Sequence, residues 1–288
     1  MTDRYAVLGH PIAHSQSPLI HGLFARQTGQ DMTYEAIDGG EAPDGFARAL
    51  AAFAAAGGRG LNVTLPFKLQ ALAAADAASE DARLAGAANA LRLAGGRIEA
   101  RNYDGIGLVR DIEVNLGQPL ADRRVLLLGA GGATRGALLP LARAGAARIA
   151  IANRTAEKAQ ALARELAPHL GGVPIDGGGL HELGADAAFD VVLNATSASL
   201  SGAAPAIAPG VLGRAALAYD MVYGQGLTPF LQQARAAGCT RVVDGVGMLV
   251  EQAAEAFAWW RGVRPDTREA LARLTVPLVA PPRNEGLD

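Results

Sequence analysis

The chain reads Arg124-Val125-Leu126-Leu127-Leu128-Gly129-Ala130-Gly131-Gly132-Ala133-Thr134 and, one crossover later, Arg148-Ile149-Ala150-Ile151-Ala152-Asn153-Arg154-Thr155. The first run predicts a buried strand that enters a glycine turn and opens a helix; the second predicts the next parallel strand. Glycines let the backbone approach a pyrophosphate, and the helix N-terminus behind them favours its charge. Gly129, Ala130, Gly131, Gly132 and Ala133 are therefore the expected cofactor-binding turn. Its form is G-x-G-G-x-T, with Thr134 where a third glycine is usual. At the tip of the second strand, an NAD site carries Asp or Glu for the ribose 2′-hydroxyl. Asn153, Arg154 and Thr155 stand there instead. A carboxylate would repel a 2′-phosphate and an arginine attracts it, so the expected cofactor is NADP. Two plainer readings stand beside this one: Thr155 as the N-cap of a helix over 156–166, and Arg154 as a solvated surface charge.

The whole chain sets bounds. It has 288 residues, half of them hydrophobic, and a formal net charge of −2; its mean hydropathy is +0.16 and its pI about 6.2. Without a lysine or arginine run it has no basic field to gather nucleic acid or an anionic membrane. One cysteine, Cys239, excludes an intramolecular disulfide and fits a reducing compartment. The start Met1-Thr2-Asp3-Arg4-Tyr5 leads into a strand with no hydrophobic signal region. The alanine-rich stretch from Phe46 to Ala56 carries Arg48 and stops at Gly57-Gly58, which reads as a soluble helix. The expectation is a cytoplasmic protein acting on a small molecule, as a monomer or homodimer.

Apolar runs alternate with helical stretches, predicting an α/β protein with largely parallel sheets. Strands are expected at 6–8, 33–37 and 61–64. Ser17 and Pro18 open a helix that Gly29 closes, and Pro66 starts another running to about Ala75. Residues 90–93 and 97–100 read as a hairpin about Gly95-Gly96, followed by a helix over 105–116. The nucleotide unit then has strands at 125–128, 148–152, 191–194, 217–221 and 241–243, with Pro140 expected to kink its first helix. An apolar helix from Met248 to Trp260 is surplus to that unit and is expected to pack on the first one. A proline-rich tail over 277–282 is expected to be loose.

Outside the nucleotide unit, polar residues gather at strand ends and helix starts, where open α/β sheets bind ligands. They are Ser15, Ser17, Asn62, Thr64, Lys68, Asn89 and Asp104. Ser17 and Asp104 would also serve as N-caps, and Thr64 could satisfy a turn. Lys68 is the least ordinary. A cation in the first turn of a helix opposes the helix dipole; that placement lowers its pKa, while a nearby carboxylate raises it. Lysine and aspartate so balanced suit proton transfer in alcohol–ketone chemistry. His10 and His14 are four apart, but Pro11 denies them a shared helix face, so no metal site is expected.

Taken together the motifs resemble the shikimate dehydrogenase family over nearly the whole chain. The matching segments are Pro11–Pro18, Asn62–Lys68, Gly86–Asn89, Asn102–Gly105, Gly129–Ala133, Asn153–Thr155, Asn194–Ser197, Tyr219–Met221 and Asp244–Met248. The resemblance implies NADP-linked reduction of 3-dehydroshikimate to shikimate in aromatic amino-acid biosynthesis. It implies a discontinuous substrate domain (1–104 and 246–288) with a Rossmann-like NADP domain (105–245) inserted. By motif position Lys68 and Asp104 are the catalytic pair. Ser15 and Ser17 hold the substrate carboxylate; Asn62, Thr64, Asn89, Tyr223 and Gln252 hold ring hydroxyls. Met221 and Gly245 lie by the nicotinamide. The chain departs from the family at Tyr103, where threonine is usual, at Ala90, and at Ser199, where glycine is frequent. Tyr103 either packs beneath the site or turns into the pocket. A quinate or dual quinate/shikimate dehydrogenase, even an NAD-using one, is the rival enzyme. A non-catalytic sensor of a shikimate-like ligand is the rival outside catalysis.

Overall fold

The computed structural model describes residues 2–224 and 226–278. The chain divides into two compact units. The first contains Met1–Gly117, Arg135–Pro140 and Gly247–Arg273; the second contains Gln118–Thr134, Leu141–Val246 and the chain from Leu274. Residues 105–117, expected in the nucleotide domain, therefore group with the first unit. The tail from residue 279 lies outside the described residues.

In the first unit, β1 (Asp3–Gly9), α1 (Ser17–Thr28), β2 (Met32–Asp38), α2 (Gly45–Ala55), β3 (Gly58–Val63) and α3 (Lys68–Ala73) follow one another. Then come β4 (Ala77–Ala78), α4 (Glu80–Ala85), β5 (Ala90–Ala94), β6 (Arg97–Arg101), α5 (Asp104–Arg110) and a π-helical turn, Asp111–Asn115. The sheet order is β2-β1-β3-β5-β6-β4, with β1 parallel to both its neighbours and β5 antiparallel to β3 and β6. Gly95 and Gly96 turn the β5–β6 hairpin with φ of 59° and 75°, the positive values a two-residue turn needs.

Alternation along the strands gives the sheet two interiors. Leu8, Leu61 and Val63 join Phe46, Phe53 and Phe67 on one face. Tyr5 and Val7 point the other way, with their register partners Tyr34 and Asn62. There Trp260 stacks on Tyr5 at 4.9 Å and His21 on Tyr34 at 4.1 Å.

The second unit runs β7 (Arg124–Leu128), the two ends of α6 (Gly132–Arg143, whose residues 135–140 group with the first unit), β8 (Arg148–Asn153), α7 (Ala156–Leu166), β9 (Ile175–Gly179) and β10 (Val191–Asn194). It closes with α8 (Pro209–Gly213), β11 (Leu217–Asp220), α9 (Pro229–Ala236) and β12 (Val242–Val243). All pairings are parallel, in the order β12-β11-β10-β7-β8-β9. That is the doubly wound dinucleotide order, reversing between β7 and β10. The helices α10 (Val246–Arg261) and α11 (Arg268–Leu274) follow, and α10 groups with the first unit from Gly247 on.

Several local expectations are corrected. The helix assigned to Pro66 opens at Lys68 and ends at Ala73. Ser17 is the first residue inside α1, with Gln16 at the cap, and Asp104 is the first residue of α5, with Tyr103 at the cap. Two strands were not foreseen. β4 is only two residues long, and β9 reads as loop because its sequence is Ile-Asp-Gly-Gly-Gly. Gly177 explains β9: a Cβ there would lie 2.3 Å from the Ala159 backbone, so glycine lets α7 settle on the strand. Pro140 lies in the interior of α6, as expected from the sequence. No helix among the described residues is long and apolar enough to cross a membrane.

Candidate active site

In the first unit the C-terminal ends of parallel strands β1 and β3, together with the starts of α1, α3 and α5, collect most of the predicted polar residues. Lys68 Nζ donates to Asp104 Oδ2 at 2.6 Å. Asn89 Nδ2 donates to Asp104 Oδ1 at 2.8 Å and to Gln252 Oε1 at 3.0 Å. Four residues spread from 68 to 252 thus form one chain of hydrogen bonds. Neither first-turn acid nor first-turn base is spent on its own helix. The Asp104 carboxylate faces Lys68 and Asn89, and its backbone N–H is capped by Asn102 Oδ1 at 3.0 Å. The backbone of Lys68 is pinned as well, its carbonyl accepting from Ala88 N–H at 2.9 Å. The side chains of Lys68 and Asp104 keep 27% and 22% of their surface open. They are placed to meet a ligand, whereas Asn89 is buried.

Buried Asn62 extends the cluster, donating from Nδ2 to the Asn89 carbonyl at 3.3 Å and accepting from the Tyr34 hydroxyl at 2.7 Å. Ser15 Oγ accepts the Ser17 N–H at 3.3 Å, which ties the two serines together at the start of α1. Thr64 follows β3 directly and lies against Gly9, where a Cβ would come within 2.4 Å of its methyl. Sequence reasoning missed Tyr34 and His21. Their only signal was a polar ring at an inward-facing position on β2 and another on α1.

Tyr103 takes the first of its two possible placements. Its ring packs with Ala90 and Ala256 and against Trp259, and its hydroxyl accepts from Arg101 at 3.1 Å. Burial pushes its phenol up to about 12, against the lowering pull of Arg101. The ring lies beneath the site.

In the second unit the glycine turn sits at the reversal of strand order. Gly129 has φ of 104°, and a Cβ on it would lie 2.9 Å from the Thr196 methyl in the loop after β10. Gly131 and Gly132 face open space, with nothing within 4 Å of an added Cβ. Thr134, in place of the third glycine, is fully buried and donates to the Gly129 carbonyl at 2.7 Å, bracing the turn from inside. Arg154 is exposed and makes no hydrogen bond or ion pair among the described residues. Thr155 occupies the N-cap of α7 without a side-chain capping bond, and Asn153 Nδ2 donates to the Thr155 carbonyl at 2.9 Å. An open glycine cradle, the start of a twelve-residue helix and an unengaged guanidinium at the next strand tip are the donor set that a 2′-phosphorylated dinucleotide requires.

Met221 and Gly245 meet at the ends of β11 and β12. A Cβ on Gly245 would lie 2.5 Å from the Met221 carbonyl, and its N–H donates to the Val222 carbonyl at 3.2 Å. Tyr223, in the same segment, is exposed. Beside them fully buried Asp220 accepts from Asn194, Ser199, Thr228 and the Val222 N–H at 2.6–3.1 Å. The serine that replaces glycine at 199 thus gains a defined partner, which no local sequence signal announced. Among the described residues no group of three or more His, Cys, Asp or Glu could hold a metal ion. His10 faces Asp38 at 2.6 Å, which raises its pKa.

Residues 7–91 match the shikimate dehydrogenase substrate binding domain, 112–202 the shikimate/quinate 5-dehydrogenase domain and 245–274 the shikimate 5′-dehydrogenase C-terminal domain. The shikimate dehydrogenase (NADP(+)) of Aromatoleum aromaticum is 55% identical over 94% of this chain and 96% of its own. This chain belongs to the shikimate dehydrogenase family. Among solved structures, an Ael1 enzyme from Pseudomonas putida superposes with a TM-score of 0.91 at 56% identity, covering 96% of this chain and all of that one. The enzyme of Thermus thermophilus, solved with NADP(H) and shikimate, gives 0.80 at 35% identity over 95% of this chain and all of its own.

Proposed function

We propose that this chain is an NADP-dependent shikimate dehydrogenase, reversibly reducing 3-dehydroshikimate to shikimate in aromatic amino-acid biosynthesis. The observation that carries the reading is the 2.6 Å Lys68–Asp104 pair, partly open to solvent and braced by Asn89 and Gln252. A binding protein has no use for a proton-transfer pair, which sets the sensor reading aside.

The substrate ligands come from the first unit and from Tyr223 of the second, and the cofactor ligands come from the second. Ser15 and Ser17 bind the substrate carboxylate; Asn62, Thr64, Asn89, Tyr223 and Gln252 bind ring hydroxyls. Gly129, Ala130, Gly131, Gly132 and Ala133 receive the pyrophosphate; Asn153, Arg154 and Thr155 bind the 2′-phosphate, and Met221 and Gly245 adjoin the nicotinamide. When bound, NADPH supplies hydride for the carbonyl carbon. The protein's part is the proton: Lys68 and Asp104 deliver it to the carbonyl oxygen as that becomes an alcohol, and take it back in oxidation. Asn89 fixes Asp104 throughout. The protein acts on this small molecule as a monomer or a homodimer. The setting is cytoplasmic.

Shikimate and quinate, each with NADP and NAD, assayed at the nicotinamide absorbance, test the reading in one panel. Turnover of shikimate with NADP is expected to dominate. Dominant quinate turnover would replace the substrate assignment and leave the cofactor intact.

A further inference from the structure

Tyr34 and His21 have no part in the site just proposed, yet they lie directly behind it. Asn62 makes two bonds at opposite ends of its carboxamide. One end donates to the Asn89 backbone carbonyl, a group that can only accept, so that end is Nδ2. The other end, Oδ1, accepts the Tyr34 hydroxyl at 2.7 Å. The two partners agree on one orientation of the amide and exclude the flipped one. With Oδ1 engaged and one Nδ2 hydrogen used, the second Nδ2 hydrogen is left for a ligand.

The phenol is itself held. Tyr34 stacks face to face on His21, centroids 4.1 Å apart and planes 5° from parallel. His21 is fully buried among Phe24, Phe257 and Trp260 with the Asn62 carboxamide beside it, and neither ring nitrogen makes a hydrogen bond of normal geometry among the described residues. Burial among these rings disfavours the charged form, against a smaller opposing pull from the Asn62 amide, so the imidazole stays neutral. Burial also raises the Tyr34 phenol well above its usual range, with the Ser17 hydroxyl alongside. Tyr34 is therefore an O–H donor at every working pH.

We propose that Tyr34, seated on His21, is a positioning residue that locks the Asn62 carboxamide so that it meets the substrate as a hydrogen-bond donor. A substrate ring hydroxyl accepts from Asn62 and keeps its own proton for another partner. The inference rests on the functional reading above and deepens it by giving Asn62 a fixed polarity. Tyr34 touches no reacting atom.

The test is Tyr34→Phe, which removes one oxygen from an otherwise unchanged ring. The KM for shikimate should rise about 5- to 20-fold, as expected for a buried acceptor left without its donor. The kcat should stay within about threefold and the KM for NADP within about twofold. Two shikimate analogues, each lacking one of the two non-reacting ring hydroxyls, supply a readout that general loosening would not move. With the analogue that lacks the hydroxyl facing Asn62, the Tyr34→Phe penalty should shrink below about twofold; with the other analogue it should persist. Should Tyr34→Phe fail to fold, His21→Phe keeps a ring under an intact phenol and should raise the shikimate KM about two- to fivefold. An unchanged KM in the folded variant, or equal penalties with both analogues, overturns the assignment. Absence of shikimate turnover in the unaltered protein sinks the functional reading itself, an outcome distinct from an unchanged KM.

Discussion

The two units build their sites by opposite means. The first links side chains from segments more than 180 residues apart in sequence into one chain of hydrogen bonds: Lys68 with Asp104, Asp104 with Asn89, Asn89 with Gln252. The second builds with backbone and empty space. Its turn is contiguous in sequence, two of its glycines face nothing, and its arginine is unengaged. A site that must move a proton needs its groups held to within tenths of an ångström before the ligand arrives. One that holds a phosphate needs donors left free for it. Removing a residue from the first should therefore strike the rate of the reaction, whereas in the second it should strike the choice of cofactor.

The sharpest way to break this contrast is Lys68→Ala. It deletes one member of the pair and leaves the Asn89–Asp104 bond in place. The expected loss in kcat is about 10²–10⁴, the span of general acid–base groups, with the shikimate KM moving much less. Steady-state kinetics in the oxidative direction decide it. An intact kcat with a raised KM would make Lys68 a binding group and erase the difference between the units.

Arg154→Ala asks the same of the second unit. An exposed guanidinium without a partner contributes little to the fold, so its removal should leave the thermal midpoint in place. One charge-assisted bond to a 2′-phosphate is worth about 1.5–3 kcal/mol, or roughly 10- to 100-fold in kcat/KM with NADP. Turnover with NAD should barely change. Equal losses with both cofactors would assign Arg154 to the fold.

His21 sharpens the comparison through pH. Burial holds its imidazole down to about 3 against an ordinary value of 6.5. The unfolded chain takes up the proton that the folded one refuses. The stabilising difference is therefore complete above pH 6.5 and is lost as the pH falls toward 3. At roughly 1.4 kcal/mol per unit, denaturant unfolding should lose about 2 kcal/mol between pH 6.5 and 5. His21→Phe should flatten that slope, since the exposed His10–Asp38 pair and the other titrating groups are common to both proteins and cancel. An unchanged slope would show that the ring reaches water and that the support beneath Asn62 is not dry.

The same contrast explains what could be read from residue order alone. The nucleotide unit was legible strand by strand because its signals are local: an apolar run, a glycine turn, a polar tip. Only β9 escaped, since Gly177 looks like loop until α7 lies against it. In the first unit the strand ends and helix starts were legible, and with them Lys68 and Asp104 as unusual. Their partnership was not, because nothing in a linear pattern says that residue 252 bonds residue 89. Capping was misread for a related reason. Ser17 and Asp104 have the chemistry of N-caps, but both sit one residue inside their helices, and the Asp104 carboxylate goes to Lys68 and Asn89. Tyr34 and Asp220 each bond an asparagine on another strand, Asn62 and Asn194 respectively, and those pairings are visible only once register is known.

The smallest catalytic effect is expected at Tyr103, the neighbour of Asp104. Tyr103 adjoins Asp104, yet their side chains serve different regions: the carboxylate joins Lys68, and the ring enters a cluster with Ala90, Ala256 and Trp259. Two guanidiniums flank that indole, Arg101 at 4.6 Å and Arg92 at 4.9 Å, and Arg101 also donates to the Tyr103 hydroxyl. What Tyr103 gives to the site is its backbone N–H, which donates to Asn89 Oδ1 at 2.9 Å and survives any side-chain change. Tyr103→Thr should therefore keep shikimate kcat/KM within about tenfold. Emptying the ring's place should cost stability, about 2–4 kcal/mol by analogy with other large-to-small core substitutions. Since the ring leaves the pocket unaltered, preference for shikimate over quinate, expected at about tenfold or more, a gap of ~1.4 kcal/mol, should be the same in both proteins. The two measurements separate the alternatives cleanly. A variant that melts early but discriminates normally places Tyr103 beneath the site, whereas normal stability with altered discrimination puts the ring in contact with the substrate.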